Sequence, residues 1–138
     1  MNLNSIYLLA EQSEVTVDCF DMNDIGALSC RNNDGYFIAI DPFKLDSTRE
    51  EKVRLAHELG HCATDSFYNK ESIADVRSRH EYRADRWAVE QLIPWEEMKE
   101  ALDNGIIDVW ELADHFDVTE EFIDTAIMVY KRRGKLSY

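Results

Sequence analysis

The stretch His57-Glu58-Leu59-Gly60-His61 places two imidazoles four positions apart with a carboxylate against the first. On an α-helix, positions i and i+4 lie one turn apart on one face, about 6 Å along the axis, so both rings can point at a single cation. Tetrahedral zinc takes ligands of this kind. Glu58 is rotated about 100° from His57, so it flanks such an ion instead of completing its shell. From there it can accept a proton from a water acidified by the ion. The plain alternative is a pair of surface histidines on a charged helix. Gly60 weighs against it, because a glycine inside a helix costs roughly 1 kcal/mol relative to alanine. A packing or functional reason, such as close approach on that face, is expected.

A catalytic zinc needs a third protein ligand and an open fourth position. The run His80-Glu81-Tyr82-Arg83-Ala84-Asp85 offers one, and Glu81 lies twenty positions after His61. That is far enough for the chain to leave one helix, turn and lay a second beside it. Asp85 stands one turn further along the same face, where it can accept the outer ring N–H of a ligating histidine. On the alternative reading, Glu81 and Asp85 are solvated charges near Arg83 and Arg86. His80 competes as third ligand but points about 100° away from Glu81, so only one of them can face the ion. The preceding His-Glu-x-x-His favours Glu81.

The elements that must position these groups are legible in outline. Ser47 stands three residues before Glu50, a capping-box spacing, and Asp46 and Glu51 add favourable charge at the same helix start. The helix is expected from Thr48 to about Thr64, with Val53, Ala56, Gly60 and Ala63 facing the core. Residues 67–78 read as an irregular loop. A second helix is expected from about Arg79 to Ile93, with Ala84, Ala88 and Leu92 inward and Pro94 as its stop. Upstream, residues 3–12 form a short helix with Ile6, Leu9 and Ala10 inward. Val15, Val17 and Cys19 alternate as one face of a strand. Runs at 27–31 and 36–40 flank Asp34-Gly35 and predict a hairpin. Residues 95–138 read as three short helices. The order helix, small antiparallel sheet, then helices is that of an α+β domain.

Bulk properties set limits. A chain of 138 residues is one domain's worth, large enough for a real core. Its net charge of −13 argues against binding nucleic acid through phosphates. The helix–turn–helix rhythm of 105–130 is subject to the same objection, since it holds seven acidic residues and no lysine or arginine. It reads as core-completing helices. Cys19, Cys30 and Cys62 imply no disulfide framework and are expected buried and reduced. Trp87, Trp95 and Trp110 are expected as packing anchors. No basic region precedes the short apolar run at 6–10, and no run is long enough to span a bilayer, so a cytoplasmic protein without membrane contact is expected.

The sequence HELGH followed by a helix reading ExxxD resembles the gluzincin type of zinc peptidase. More narrowly, HELGHC, Arg77-Ser78-Arg79 and EYRADRWAVEQLIP resemble the ImmA/IrrE metallopeptidases. The resemblance covers about Phe37–Pro94 well and the flanks in general layout. It implies a zincin-like fold with zinc bound by His57, His61 and Glu81, Glu58 as general base, and Asp85 as partner of a ligating histidine. It further implies an endopeptidase acting on a protein partner, plausibly a helix-turn-helix repressor of a phage or mobile element encoded nearby. The competing expectation is a non-catalytic zinc-binding module that sequesters such a repressor. Substrate would lie extended along an edge strand, for which residues 36–40 are the candidate. Tyr36, Tyr68, His80, Tyr82 and His115 are all conceivable donors to a developing oxyanion.

Overall fold

Ser47 opens the central helix, as its spacing predicts: its hydroxyl accepts the Glu50 N–H at 3.1 Å, and Glu50 in turn accepts the Asp46 N–H at 2.8 Å. In this computed structural model, residues 1–22, 25–69 and 71–137 are described. The elements are α1 (Leu3–Gln12), β1 (Val15–Cys19), β2 (Ala27–Asn32), β3 (Gly35–Ile40), a single 3-10 turn (Pro42–Lys44), α2 (Thr48–Thr64), α3 (Ala74–Leu92), α4 (Trp95–Asp103), α5 (Val109–Phe116) and α6 (Glu120–Arg132). The fold is α+β. No described helix is long and apolar enough to cross a membrane.

The hairpin forms where Asp34-Gly35 places it. Gly35 takes φ +130°, and the Asn32 side chain accepts the Asp34 N–H at 2.7 Å. The sheet is mixed, however, with strand order β1-β3-β2: β2 pairs antiparallel with β3, while β1 pairs parallel to it. Period-2 alternation reveals a strand but not its direction. The chain between β1 and β2 crosses to the far side, so β3 becomes the central strand. The 36–40 run is therefore no edge, and β1 and β2 are the two edge strands.

Helix α2 lies across the sheet and buries Leu55, Ala56 and Leu59 among Ile38, Ile40 and residues of α3 and α6. Gly60 is buried as expected and Val53 half-buried, and the inward stripe is wider than expected, taking in Lys52, Glu58, His61 and Cys62 as well. Ala63 is exposed, because α2 ends against the sheet's rim at Asp65, which adopts the left-handed conformation (φ 51°, ψ 42°). Helix α3 starts at Ala74, within the stretch expected to be loop, and its N-cap Ile73 makes no side-chain bond. The missing cap residue explains why sequence placed the start too late. Ala84, Ala88 and Leu92 are buried as expected. Tyr130 of α6 is fully buried and its hydroxyl donates to the Ile93 carbonyl at 2.5 Å, fastening the C-terminal helix beneath α3.

Three expectations fail at the surface. Cys19 and Cys30 are exposed and only Cys62 is buried, all three as free thiols. Cys19 ends one edge strand and Cys30 lies on the other, where little covers them. Trp110 is 58% exposed at the start of α5, whose buried stripe falls on Leu112 and Ala113. Trp87 and Trp95 do pack against the core.

Candidate metal centre

The closest approach of α2 and α3 occurs at Gly60. A Cβ there would strike the Ala84 carbonyl oxygen and lie 2.9 Å from its Cα and 3.0 Å from its carbonyl carbon. Only glycine lets the backbones come this near, which is the packing reason expected of a helical glycine. The consequence is geometric. Ala84 sits between Glu81 and Asp85, so the contact seats both carboxylates against the histidines of α2.

Glu81 reaches both rings: its Oε2 lies 2.8 Å from His57 Nε2 and its Oε1 3.2 Å from His61 Nε2. His57, His61 and Glu81 each offer a ligand atom within 4.8 Å of the others. Asp85 accepts the His57 Nδ1–H at 2.8 Å. His61 Nδ1 donates instead to the Ser66 backbone carbonyl at 2.6 Å. Both outer nitrogens are thus held by acceptors, which leaves each Nε2 facing the shared point and fixes the ring orientations that a metal requires. The donor set, two imidazoles and one carboxylate, fits a zinc ion. His80 lies outside this cluster: its Nδ1 is buried without a hydrogen-bond partner among the described residues, and its ring packs near Tyr68, 6.3 Å between centroids.

The Ser66 carbonyl was beyond sequence reading, since a backbone acceptor leaves no residue-type signal. Its placement is nevertheless built from the sheet. Arg31 of β2 contacts both Asp65 oxygens at 2.6 Å, and Tyr36, its cross-strand partner on β3, donates to Asp65 at 3.1 Å. These bonds clamp the corner after α2. Thr64 then donates to the Gly60 carbonyl at 2.7 Å and sits 2.6 Å from the Ser66 hydroxyl.

Electrostatically the cluster favours positive charge. Burial alone would pull the His57 imidazolium down, but hydrogen bonds to Asp85 and Glu81, with the nearby Glu58 charge, push it up to about 10. Hydrogen bonds from His57 and His61 hold the Glu81 carboxyl far below the usual range, against the opposing effect of burial. Tyr68 donates to Glu81 at 2.7 Å; that bond and burial push its phenol up to about 12. Glu58 is 7% exposed. It makes no hydrogen bond or ion pair among the described residues, and it lines the cleft beside His57.

Comparison with protein families returned a match over residues 10–128 to the peptidase family described as the IrrE N-terminal-like domain. The chain belongs to that family. Its members are of metallopeptidase type, and the match extends well beyond the motif-bearing helices to include the sheet and most of α6. No curated protein and no solved structure matched the chain.

Proposed function

We propose that this IrrE-like domain is a zinc-dependent endopeptidase acting on a protein partner, with His57, His61 and Glu81 as zinc ligands and Glu58 as general base. The observation that carries this reading is the convergence of three groups able to hold a metal beside a carboxylate that has no hydrogen-bond or ion-pair partner among the described residues. A purely structural zinc has no use for such a carboxylate.

When bound, zinc supplies the Lewis acidity that brings a water's pKa toward neutrality and polarises a peptide carbonyl. Glu58 takes the proton of the attacking water and passes it to the leaving amine. Asp85 and the Ser66 carbonyl hold the imidazoles in one tautomer and orientation. Of the five conceivable oxyanion donors, Tyr68 is best placed, because its hydroxyl already stands at Glu81 on the wall of the cleft. Tyr36 is engaged by Asp65, the Tyr82 ring lies under Arg132 at 4.6 Å, and His115 lines a separate cavity near Met1. Strand β2, not β3, offers the free backbone edge beside His61 along which an extended segment can pair. A helix-turn-helix repressor encoded nearby, a partner that rests on the family resemblance, completes the proposal, together with the cytoplasmic setting expected from the sequence.

The test is Glu58→Gln in the zinc-loaded protein incubated with the product of the adjacent gene. Zinc content should match wild type while cleavage falls by a factor of a hundred or more. Cleavage at the wild-type rate would remove Glu58 from the chemistry. If the variant relieves repression in cells as well as wild type does, the protein sequesters its partner without cutting it.

A further inference from the structure

Two cavities meet at the metal centre, and their walls differ in chemistry. The larger, about 800 Å³, runs between the first turns of α2 and α6 and is lined by Asp46, Glu50, Glu120 and Glu121 beyond the centre itself. Among the described residues Arg54 is its single lysine or arginine, and that guanidinium is turned to the Ala27 carbonyl at 3.3 Å. The smaller, about 220 Å³, follows β2 and is lined by Ile25, Ala27, Leu28 and Phe67, its only carboxylates among the described residues being Glu58 and Glu81. Ile25 and Leu28 are 51% and 47% exposed, an apolar surface open to solvent. Glu58, Tyr68 and Glu81 line both cavities, so the two adjoin at one point, the larger leading away toward α6 and the smaller along β2.

The acidic wall is not neutralised internally. Among the described residues no ion pair engages Asp46, Glu50, Glu120 or Glu121. Acidic first-turn residues do complement their helix dipoles. Each helix N-terminus carries only about half a positive charge, so two of them offset roughly one of these four carboxylates. A negative field remains, focused in a cleft with low-dielectric walls.

We propose that the centre selects a peptide with an apolar side chain on one side of the scissile bond, seated along β2, and a basic side chain on the other, seated among Asp46, Glu50, Glu120 and Glu121. The proposal rests on the endopeptidase reading of the same centre and names its substrate class.

The test separates binding from cutting. Fluorescent flexible peptides carry leucine on one side of a central bond and arginine, glutamine or glutamate on the other, in both chain directions. Their binding to zinc-loaded Glu58→Gln protein is followed by anisotropy. In one direction the arginine peptide should bind about tenfold more tightly than the glutamine peptide at low ionic strength, and added salt should shrink the gap. The paired change Glu120→Gln with Glu121→Gln should remove most of that preference. Glu96→Gln with Glu97→Gln, the matching first turn of α4, should leave it intact. Equal affinity for the arginine and glutamine peptides, equal effects of the two paired changes, or no binding at all would overturn the preference. Wild-type protein that binds the arginine peptide and leaves it uncut would instead refute the endopeptidase reading.

Discussion

Replacing Gly60 by alanine tests whether the approach of two helices builds the metal centre. Helix propensity alone would make Gly60→Ala stabilising by roughly 1 kcal/mol. Against this, the added methyl meets the carbonyl oxygen, Cα and carbonyl carbon of Ala84, the last two at 2.9 and 3.0 Å, where ordinary contact begins near 3.4 Å. All three are backbone atoms and cannot rotate away, so α3 must retreat by roughly 0.5–1 Å. Overpacking of this kind costs about 1–3 kcal/mol, and contact with backbone puts it toward the upper end, so a net loss of about 1–2 kcal/mol is expected. The retreat also carries Glu81 and Asp85 away from rings they now meet at 2.8–3.2 Å. Zinc affinity should then fall by about ten- to a hundredfold. Urea unfolding of the metal-free protein reads the first effect and competition with a chromophoric chelator reads the second. Adding Ala84→Gly should rescue neither, since the obstacle is backbone and not the Ala84 methyl. A Gly60→Ala protein that is more stable than wild type and binds zinc equally well would show that the close approach is not why glycine stands there.

Other expectations follow from the same geometry. Asp85→Asn keeps the shape but removes the charge that orients His57, so zinc affinity should drop about ten- to a hundredfold with the fold intact by circular dichroism. Because His57 is raised to about 10, it holds a proton at neutral pH that zinc must expel. Calorimetry in buffers of different ionisation enthalpy should show about one proton released per zinc, and no buffer dependence would refute it. In the metal-free protein that proton favours folding fully below the unfolded histidine value of about 6.5, and the benefit is lost as pH rises through about 10. Asp117, with φ 54°, lies 2.8 Å from Arg49 and 3.6 Å from the buried Lys52 amine. Asparagine tolerates that conformation, so Asp117→Asn should cost only about 1 kcal/mol by losing partly solvent-screened ion pairs. Hydrogen bonding to Arg49 lowers the Asp117 carboxyl, so its contribution is present above the unfolded value and lost as pH falls. The variant's stability should therefore decline less steeply in acid than wild type's.

The sequence by itself determined the chemistry: which side chains can share a cation, that Ser47 starts their helix, and that Asp34-Gly35 turns a hairpin. These are local facts, settled by helical spacing and turn preferences within a few residues. That only one of Glu81 and His80 can join the two imidazoles was also legible, since adjacent helical positions cannot face one point, and the cluster includes Glu81. Tertiary structure decided what depends on distant partners. It made β3 central and put β2 on an edge, because strand periodicity carries no direction or neighbour. It put the Ser66 carbonyl on His61 through Arg31, Tyr36 and Asp65, a chain of contacts whose last link is a backbone atom with no residue type to read. It also drew the first turns of α2 and α6 to opposite sides of one cleft. Their carboxylates look in sequence like ordinary helix starts and become a shared field only where the fold brings the two helix ends together.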